Sequence, residues 1–582
     1  MDFSWIVDTK MKATKVQNQN IKSEINATTQ ASLSTKTTIS SLPTDCFDKI
    51  LSFIHDRHIL FSAALVDRTW CRLVIPKLWK STSYNICDAK KGISISETYI
   101  KCMNDEERQE LINSGITAVE SYPRALFPYA SFIKRLDLSE LEQVVSWFTA
   151  EEDGNRDDPA ILTSPIWKII LKECEDDDEP KMLERIMTQI HKLIFRSTKN
   201  LEYIRFCGED SYSLPNIAEF PNVKEAMLNL QEIMFSCATS DRNCNYVVIG
   251  NLINVLKSCC RGIEVLQVDL GFIRNRARKD LCELIEAQNG LKHVLFYGFD
   301  DEERTLINAL SSQKNSLVYL EFVGYYFSGW LIKLLENLGL FTKLEGLTFT
   351  QQFEISNDEY NNERFSTLVE TPKCLRNLYF SDYMLNFNNS TMFDNIFLFP
   401  LLKICGPALK ELTLKRSYGK GLFDVISEYA KTLEILELNL EVSHLSCFLH
   451  ILSALEKLEH LCIADFKKGR VDISYFWVEL GKRVSINLQT LYFNAITSEE
   501  LDLVLSSLVN PIKELGLGRS DEMHLRVIRK FCKRRQVRIK LCVCFPPFVS
   551  NKNLLEEIKE WVEIVNIEEG FYGRNKKYMG TH

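Results

Sequence analysis

Closely spaced cysteine and histidine pairs are the first residues in this sequence that could do chemistry. They occur three times, at His55 and His58, at Cys542 and Cys544, and at Cys259 and Cys260. None has a complete second pair at the spacing of a zinc site. We therefore interpret them as core or loop residues, and the sequence predicts neither a metal site nor a cofactor.

Motifs of the common enzyme classes do not occur. Gly419-Lys420-Gly421 lacks the leading glycine and the hydroxyl residue of a phosphate-binding loop. There is no Gly-x-Ser-x-Gly nucleophile elbow and no His-Glu-x-x-His metalloprotease motif. The acidic pair Glu499-Glu500 is typical of a helix start, where negative charge interacts well with the helix dipole. We expect no catalytic residues and no enzymatic activity.

A basic segment leaves two interpretations open. Its lysines and arginines are Arg526, Arg529, Lys530, Lys533, Arg534, Arg535, Arg538 and Lys540. They form either a nuclear signal or patch for an acidic partner, or the solvated face of a helix followed by a strand over 537–543. The whole chain of 582 residues carries a net charge of −8, which argues against a general nucleic-acid binder.

The expected compartment follows from three features. The first residues, Met1-Asp2-Phe3-Ser4-Trp5, lack the basic start of a secretory signal, and no run of about 18 apolar residues suggests a membrane span. The 18 cysteines are scattered, as expected of free thiols in a reducing compartment. We expect the protein in the cytoplasm, and also in the nucleus if the basic segment is a nuclear signal.

Three short helices are predicted near the start, after a polar and disordered arm at residues 1–38. Leu42-Pro43-Thr44-Asp45 is typical of a helix start, and the next apolar residues, up to Ile54, share one helical face. A second helix is predicted over 59–66 and a third from Asp67, with Pro76 expected to kink or end it. So small a core, within residues 39–81, needs a partner or the adjoining repeats to complete it.

A six-residue phrase recurs from residue 201 onward: apolar, two mostly polar residues, aliphatic, any residue, apolar. Its copies begin at residues 201, 230, 263, 291, 317, 344, 375, 409, 433, 458, 488 and 512. The eleven intervals between 201 and 512 average about 28 residues, the upper end of the leucine-rich-repeat range. Helical apolar spacing lies between the copies. The sequence therefore predicts an α/β fold: a leucine-rich-repeat solenoid with parallel strands inside and helices outside.

Alternation within the phrase predicts its two faces. The fourth and sixth residues point to one side of the strand, which is the core, and the fifth points to the other. We expect the fifth residues to be exposed: Arg205, Gln267, Glu321, Thr348, Tyr379, Thr413, Glu437 and Tyr492. Four tyrosines of this face, Tyr203, Tyr319, Tyr379 and Tyr492, are candidate contacts for a bound protein, with cross-strand packing as the alternative.

The remaining segments of the chain have the following predicted domain bounds. Residues 82–190 are a linker and irregular first repeats, with strand-like phrases at 133–138 and 166–171. The solenoid occupies 191–545, and a helical cap and tail occupy 546–582, where an amphipathic helix is expected over 552–565. Many leucine-rich repeats carry Asn or Cys three residues after the sixth position to bond the turn, and this ladder is missing here.

Twelve residues between 41 and 80 form a pattern in their types, order and spacing: Leu42, Pro43, Asp45, Ile50, Leu51, Leu60, Leu65, Val66, Arg68, Trp70, Leu78 and Trp79. This segment resembles the F-box motif. Together with the predicted repeats, the chain is similar to F-box and leucine-rich-repeat proteins. The resemblance implies a substrate receptor of a cullin-RING ubiquitin ligase of the SCF type, a complex for ubiquitin-dependent protein degradation.

In that family the F-box binds a Skp-type adaptor, and through it the cullin and the RING protein, while the repeats hold the target. By matching positions, the resemblance assigns to the adaptor interface, or to the small core behind it, Leu42, Pro43, Ile50, Leu51, Leu60, Leu65, Val66 and Trp70. The division between these two roles stays open. The alternative function is a repeat scaffold for protein–protein interaction without ubiquitin transfer.

Overall fold

The computed structural model describes residues 43–54, 56–82, 89–138, 179–208, 215–237, 246–273, 275–299, 304–326, 334, 337–354, 374–382, 398–415, 418–467, 472–543 and 552–566. The chain divides into two compact units, Met1–Asn289 and Gly290–His582. The described ranges contain seventeen α-helices and fifteen β-strands. None of the helices in these ranges combines the length and the apolar character needed to cross a membrane.

The first unit opens with three helices, α1 Thr44–Ser52, α2 Arg57–Ala64 and α3 Arg68–Leu78. Aspartates cap two of them: Asp56 accepts two hydrogen bonds from the first turn of α2, and Asp67 accepts two from that of α3. Because first-turn amides have no partner inside a helix, these caps define where α2 and α3 begin. The prediction of three short helices is confirmed, and we call residues 43–79 the N-terminal module.

The rest of the first unit alternates helices and parallel strands. Its further helices are α4 Ala89–Cys102, α5 Asp105–Asn113, α6 Glu179–Ser197, α7 Val223–Met227, α8 Tyr246–Cys259 and α9 Asn275–Glu286. Its strands are β1 Arg135–Asp137, β2 Tyr203–Gly208, β3 Glu232–Cys237 and β4 Val265–Asp269. They pair in chain order.

The second unit carries eleven strands within its described ranges, again parallel and in chain order. They are β5 His293–Phe299, β6 Tyr319–Tyr326, β7 Gly346–Glu354, β8 Asn377–Asp382, β9 Glu411–Leu414, β10 Ile435–Glu441, β11 His460–Lys467, β12 Thr490–Phe493, β13 Glu514–Leu517, β14 Ile539–Val543 and β15 Val562–Asn566. Its helices are α10 Arg304–Leu310, α11 Phe399–Cys405, α12 Lys420–Tyr429, α13 Leu445–Leu452, α14 Ser474–Arg483, α15 Ser498–Ser507, α16 Glu522–Arg535 and α17 Lys552–Lys559.

Each of the twelve recurring phrases forms one strand, β2 to β13. Neighbouring strands pair position by position, as Leu347 with Leu378 and Leu412 with Leu436. Since each repeat adds one parallel strand next to the last, each unit is a leucine-rich-repeat solenoid. The predicted fold class is confirmed.

The core face of the sheet carries the fourth and sixth residues of the phrases, and these side chains, like the first residues, are at most 5% exposed. Phenylalanines at the sixth position stack from strand to strand: the ring of Phe349 lies 5.6 Å from that of Phe322 and 5.1 Å from that of Phe380. Helices cover this face, as Trp477 of α14 shows by meeting Phe493 of β12 at 5.7 Å. Burying one such side chain stabilises the fold by roughly 1.5–3 kcal/mol.

Buried glutamines bond the turns that precede two of the strands. The Gln288 amide donates to the carbonyls of Leu284 at 2.8 Å and Cys260 at 3.2 Å, and its oxygen accepts from the Ile263 amide at 3.1 Å. In the second unit the oxygen of Gln313 accepts from the Leu291 amide at 3.4 Å. Because unpaired backbone groups are costly inside a protein, these contacts hold the loops that enter the strands.

Pro76 does not end α3, which was one of the two outcomes expected for it. α3 continues through Pro76 to Leu78, although proline removes one backbone hydrogen bond. The buried residues Val74 and Ile75 hold the last turn in place, and the Trp79 amide still donates to the Ile75 carbonyl at 3.0 Å. The predicted boundary at residue 190 falls inside α6, and β1 lies within the strand-like phrase predicted at 133–138.

The predicted helix over 552–565 is wrong in its second half. α17 ends at Lys559, and Val562–Asn566 forms β15, which pairs in parallel with β14. β-branched residues favour a strand, and the free edge of β14 supplies hydrogen-bond partners for it. The predicted arm at 1–38, the phrase at 166–171, His55 and Cys544 lie outside the described residues.

Candidate functional site

The N-terminal module has a small core of its own. Its buried side chains are Phe47, Leu51, Leu60, Ala63 and Val74, with Ile54, Ala64, Trp70, Leu73 and Leu78 packed against them. The ring of Phe47 meets that of Trp70 edge-on at 4.3 Å. Since the core contains residues of α1, α2 and α3, it holds the three helices together.

Large apolar side chains also lie on the outside of this module. The structure describes thirteen exposed large hydrophobic residues, and four of them fall within residues 50–66: Ile50, Phe53, Ile59 and Val66, at 49, 70, 53 and 59% exposure. We call these four the exposed apolar set. Exposed apolar side chains that gather on one part of a protein often mark a binding site. The set is therefore a candidate protein-binding surface.

The structure divides the predicted adaptor residues between the core and the surface. Leu51 and Leu60 are buried in the module core, and Trp70 packs against it while half-buried. Pro43, Ile50 and Val66 are exposed, Leu65 is half-buried, and Leu42 lies outside the described residues. Phe53 and Ile59 were not predicted, because the sequence pattern marks the apolar side of a helix and not the residues at its ends.

A short joint connects the module to the sheet of the first unit. Ser81 pairs with Arg135 of β1 in a parallel bridge, and the Lys80 carbonyl accepts hydrogen bonds from the amides of Lys134 at 2.7 Å and Arg135 at 2.9 Å. The buried hydroxyl of Thr82 accepts from the Asp137 amide at 2.7 Å. The segment after α3 is thus held to β1 by hydrogen bonds of the kind that pair neighbouring strands.

Aromatic contacts reinforce this joint. Trp79, the residue after α3, is 4% exposed, and its ring lies 5.8 Å from Tyr99 of α4 and 4.5 Å from Tyr129. Aromatic pairs at such distances add about 0.5–1.5 kcal/mol each beyond area burial. Trp79 of the F-box-like motif therefore packs between the module and the residues that follow it.

The opposite face of the sheet carries the third and fifth residues of the phrases. In the second unit the register aligns the fifth residues from β5 to β14: Leu295, Glu321, Thr348, Tyr379, Thr413, Glu437, Cys462, Tyr492, Gly516 and Cys542. We call these the fifth-position row. Neighbouring strands lie about 4.8 Å apart, so these side chains cover one another.

The expected exposure of the fifth positions is wrong for most of them. The side chains of Glu321, Thr413, Glu437 and Tyr492 are 2–8% exposed, and Gln267 in the first unit is 6% exposed. Arg205, Thr348 and Tyr379 are half-buried. Packing between adjacent strands, which the alternation of one strand cannot show, accounts for the difference.

Two of the four candidate tyrosines are buried. Tyr203 is 3% exposed, the Arg135 guanidinium lies 4.0 Å from its ring centre, and burial raises the pKa of its hydroxyl. Tyr492 is 2% exposed and packs beside Cys462 and Ala464. For Tyr203 and Tyr492 the structure therefore supports cross-strand packing, which was the alternative to contact with a bound protein.

Tyr319 and Tyr379 remain half-buried on the opposite face. The Lys415 ammonium lies 5.0 Å from the ring centre of Tyr379 and 3.7 Å from the Glu437 carboxylate. Burial lowers the pKa of Lys415 and raises that of Glu437, since water is withdrawn from both charges. The contact of Tyr319 and Tyr379 with a target stays a prediction.

The basic segment is largely engaged within the repeats. Lys530 of α16 pairs with Asp502 of α15 at 2.9 Å, and Arg526 pairs with Glu522 at 2.6 Å. The Arg534 guanidinium donates to the Leu505 carbonyl in the last turn of α15 at 3.1 Å. Since the last carbonyls of a helix lack internal partners, this contact caps α15. A structural role accounts for these residues, and a nuclear signal stays a prediction.

No protein-family model matches this sequence, and no curated protein matches it. Solved structures do. A chain of the Rad7–Elc1 complex from yeast is 18% identical, with 62% of this chain and 89% of that chain covered and a TM-score of 0.35. The leucine-rich-repeat-containing protein LegL7 from Legionella pneumophila is 11% identical, with 59% and 94% covered and a TM-score of 0.31. Similarity at this level carries no information about function.

Proposed function

We propose that this protein is a non-catalytic substrate receptor of a cullin-RING ubiquitin ligase of the SCF type. The N-terminal module, which resembles an F-box, binds a Skp-type adaptor and through it the cullin and the RING protein. The leucine-rich repeats bind the target protein. The exposed apolar set is the observation that carries this proposal.

The argument begins with the surplus of apolar surface. The module core is already filled by Phe47, Leu51 and Leu60, so Ile50, Phe53, Ile59 and Val66 contribute nothing to it. Covering one such side chain is worth roughly 1.5–3 kcal/mol, and a few buried anchors usually dominate a protein interface. A partner that covers these residues therefore gains apolar contact at the interface.

The mechanism is positional. The adaptor holds the ligase at the module, and the joint at Ser81 fixes the module to β1 with backbone hydrogen bonds. A target held on the repeats then has its lysines at high effective concentration near the charged ubiquitin-conjugating enzyme. No residue of this chain needs to touch the reacting atoms.

Adaptor binding is the test. We expect the full-length chain to capture a purified Skp-type adaptor, and Phe53→Ser with Ile59→Ser to weaken that binding by at least 100-fold without lowering the melting temperature. Leu126→Ser is the matched control, because Leu126 is 85% exposed but lies outside the module. Failure of the wild-type chain to bind the adaptor would favour the alternative, a repeat scaffold without ubiquitin transfer.

A further inference from the structure

Glu321 of β6 is a buried acid on the opposite face of the sheet. Its side chain is 8% exposed, and its register partners are Leu295 on β5 and Thr348 on β7. Among the residues that the structure describes, no donor and no basic group pairs with this carboxylate. A buried carboxylate without a partner is costly, and such a group needs a reason to be kept.

Glu437 shows how the same face treats another acid. It also occupies the fifth position of its phrase and is also 8% exposed. Its carboxylate, however, lies 3.7 Å from the Lys415 ammonium, which in turn lies over the Tyr379 ring. Glu437 thus has a lysine and a tyrosine beside it, whereas Glu321 has no such lysine among the described residues.

An aromatic residue lies on the same face as Glu321, two positions before it on β6. Tyr319, two residues earlier on the same face, is half-buried, and its ring lies over Gly346 on β7. A ring face and a carboxylate together attract a cation more strongly than either alone.

The titration of Glu321 agrees with this geometry. Burial raises the pKa of its carboxyl to about 7, so the group carries a full charge only above neutral pH. Among the described side chains of β5, β6 and β7, the other titratable groups on this face are His293, Tyr297 and Tyr319, and the His293 ring lies 5.8 Å from that of Tyr319. An arriving cation favours the ionised carboxylate and displaces its proton.

We propose that Glu321 receives a lysine or arginine side chain of the bound target protein, as Glu437 receives Lys415 within the chain. The inference rests on the proposed function, because it names the chemistry that the repeats recognise. The occupant is part of a protein, since the proposed role of the repeats is to hold one.

The experiment uses the full-length chain and an array of random synthetic 12-residue peptides. Each peptide is present in its original form, with every lysine changed to glutamine, and with every arginine changed to glutamine. We expect wild-type protein to bind lysine- or arginine-containing peptides at least tenfold better than their glutamine forms. Comparing the two replacements shows which cation the site prefers.

Two variants show whether Glu321 is responsible. Glu321→Gln should lose the preference, and Glu437→Gln, at the same row position and exposure, should keep it. The inference is overturned if wild-type protein shows no such preference, if Glu321→Gln retains it, or if both variants lose it. A thermal melt of each variant confirms that it is folded.

The same preparations are tested for adaptor binding, which separates the two proposals. Adaptor binding without a Glu321-dependent preference overturns only the cation site. A Glu321-dependent preference without adaptor binding overturns the ligase function and leaves the site in place.

Discussion

The ring of Tyr492 on β12 lies directly over Gly516, its register partner on β13. A Cβ atom added at that glycine would overlap the ring. Tyr319 and Gly346 repeat the relationship on β6 and β7. On this face, therefore, a glycine in one repeat leaves room for the tyrosine ring of the repeat before it.

Gly516→Ala should lower the free energy of unfolding by roughly 1–3 kcal/mol, because the overpacked ring has to move. Urea denaturation of the full-length chain measures this. Gly262→Ala is the control, since a Cβ at Gly262 meets nothing within 4 Å. Equal midpoints for the two variants would contradict the packing described for Tyr492.

Leu51→Ala and Ile50→Ala should separate the core of the module from its surface. Leu51 is 1% exposed in the core, so its truncation should cost about 2–5 kcal/mol. Ile50 is 49% exposed, so its truncation should change stability by no more than about 0.5 kcal/mol. Hydrogen exchange of the module amides measures both, and the two roles are misassigned if Ile50→Ala is the more damaging change.

Glu321 should make the unliganded protein less stable as pH rises. Its pKa is about 7 in the folded chain against 4.5 as its ordinary value, so the folded chain holds a proton that the unfolded chain releases. Stability from this group is therefore lost between pH 4.5 and 7, by about 3 kcal/mol. Glu321→Gln cannot ionise, and its urea midpoint relative to wild type should rise from pH 5 to pH 8. A constant difference would show that burial does not shift this carboxyl.

His191 on α6 should have the reverse effect. It is 1% exposed, neither ring nitrogen has a partner among the described residues, and burial lowers its pKa from 6.5 to about 4. The unfolded chain therefore takes up a proton first as pH falls, and stability is lost between pH 6.5 and 4, by about 3 kcal/mol.

His191→Leu should remove this acid sensitivity, because leucine has no proton to gain. Thermal melts at pH 7 and pH 5 test it, with His450→Leu at an exposed position as the control. An unchanged acid response in His191→Leu would mean that other groups cause it.

Periodicity predicted the strands because the phrase combines two independent signals. Leu347 and Phe349, at its fourth and sixth positions, face the core, and the phrase returns about every 28 residues, so each copy confirms the others. β15 has no such phrase. Trp561 and Val562 also fit a helical stripe, and only the free edge of β14 decides in favour of a strand.

The candidate surfaces were harder to predict because they depend on neighbours distant in sequence. The ring of Tyr492 lies over the glycine at the fifth position of the next phrase, and only the strand register shows that Gly516 is its neighbour. The exposure of Phe53 and Ile59 depends on how three helix ends meet. The F-box resemblance identified the segment, and the structure assigned its residues to core or surface.

The bridge between Ser81 and Arg135 determines where this chain can be cut for study. A fragment that begins after Thr82 would leave β1 with unpaired amides and carbonyls along one side. Such a bare strand readily pairs with another molecule and leads to aggregation. A soluble fragment of the first repeats must therefore retain the segment that leaves α3, even when the binding partner of the three helices is of no interest.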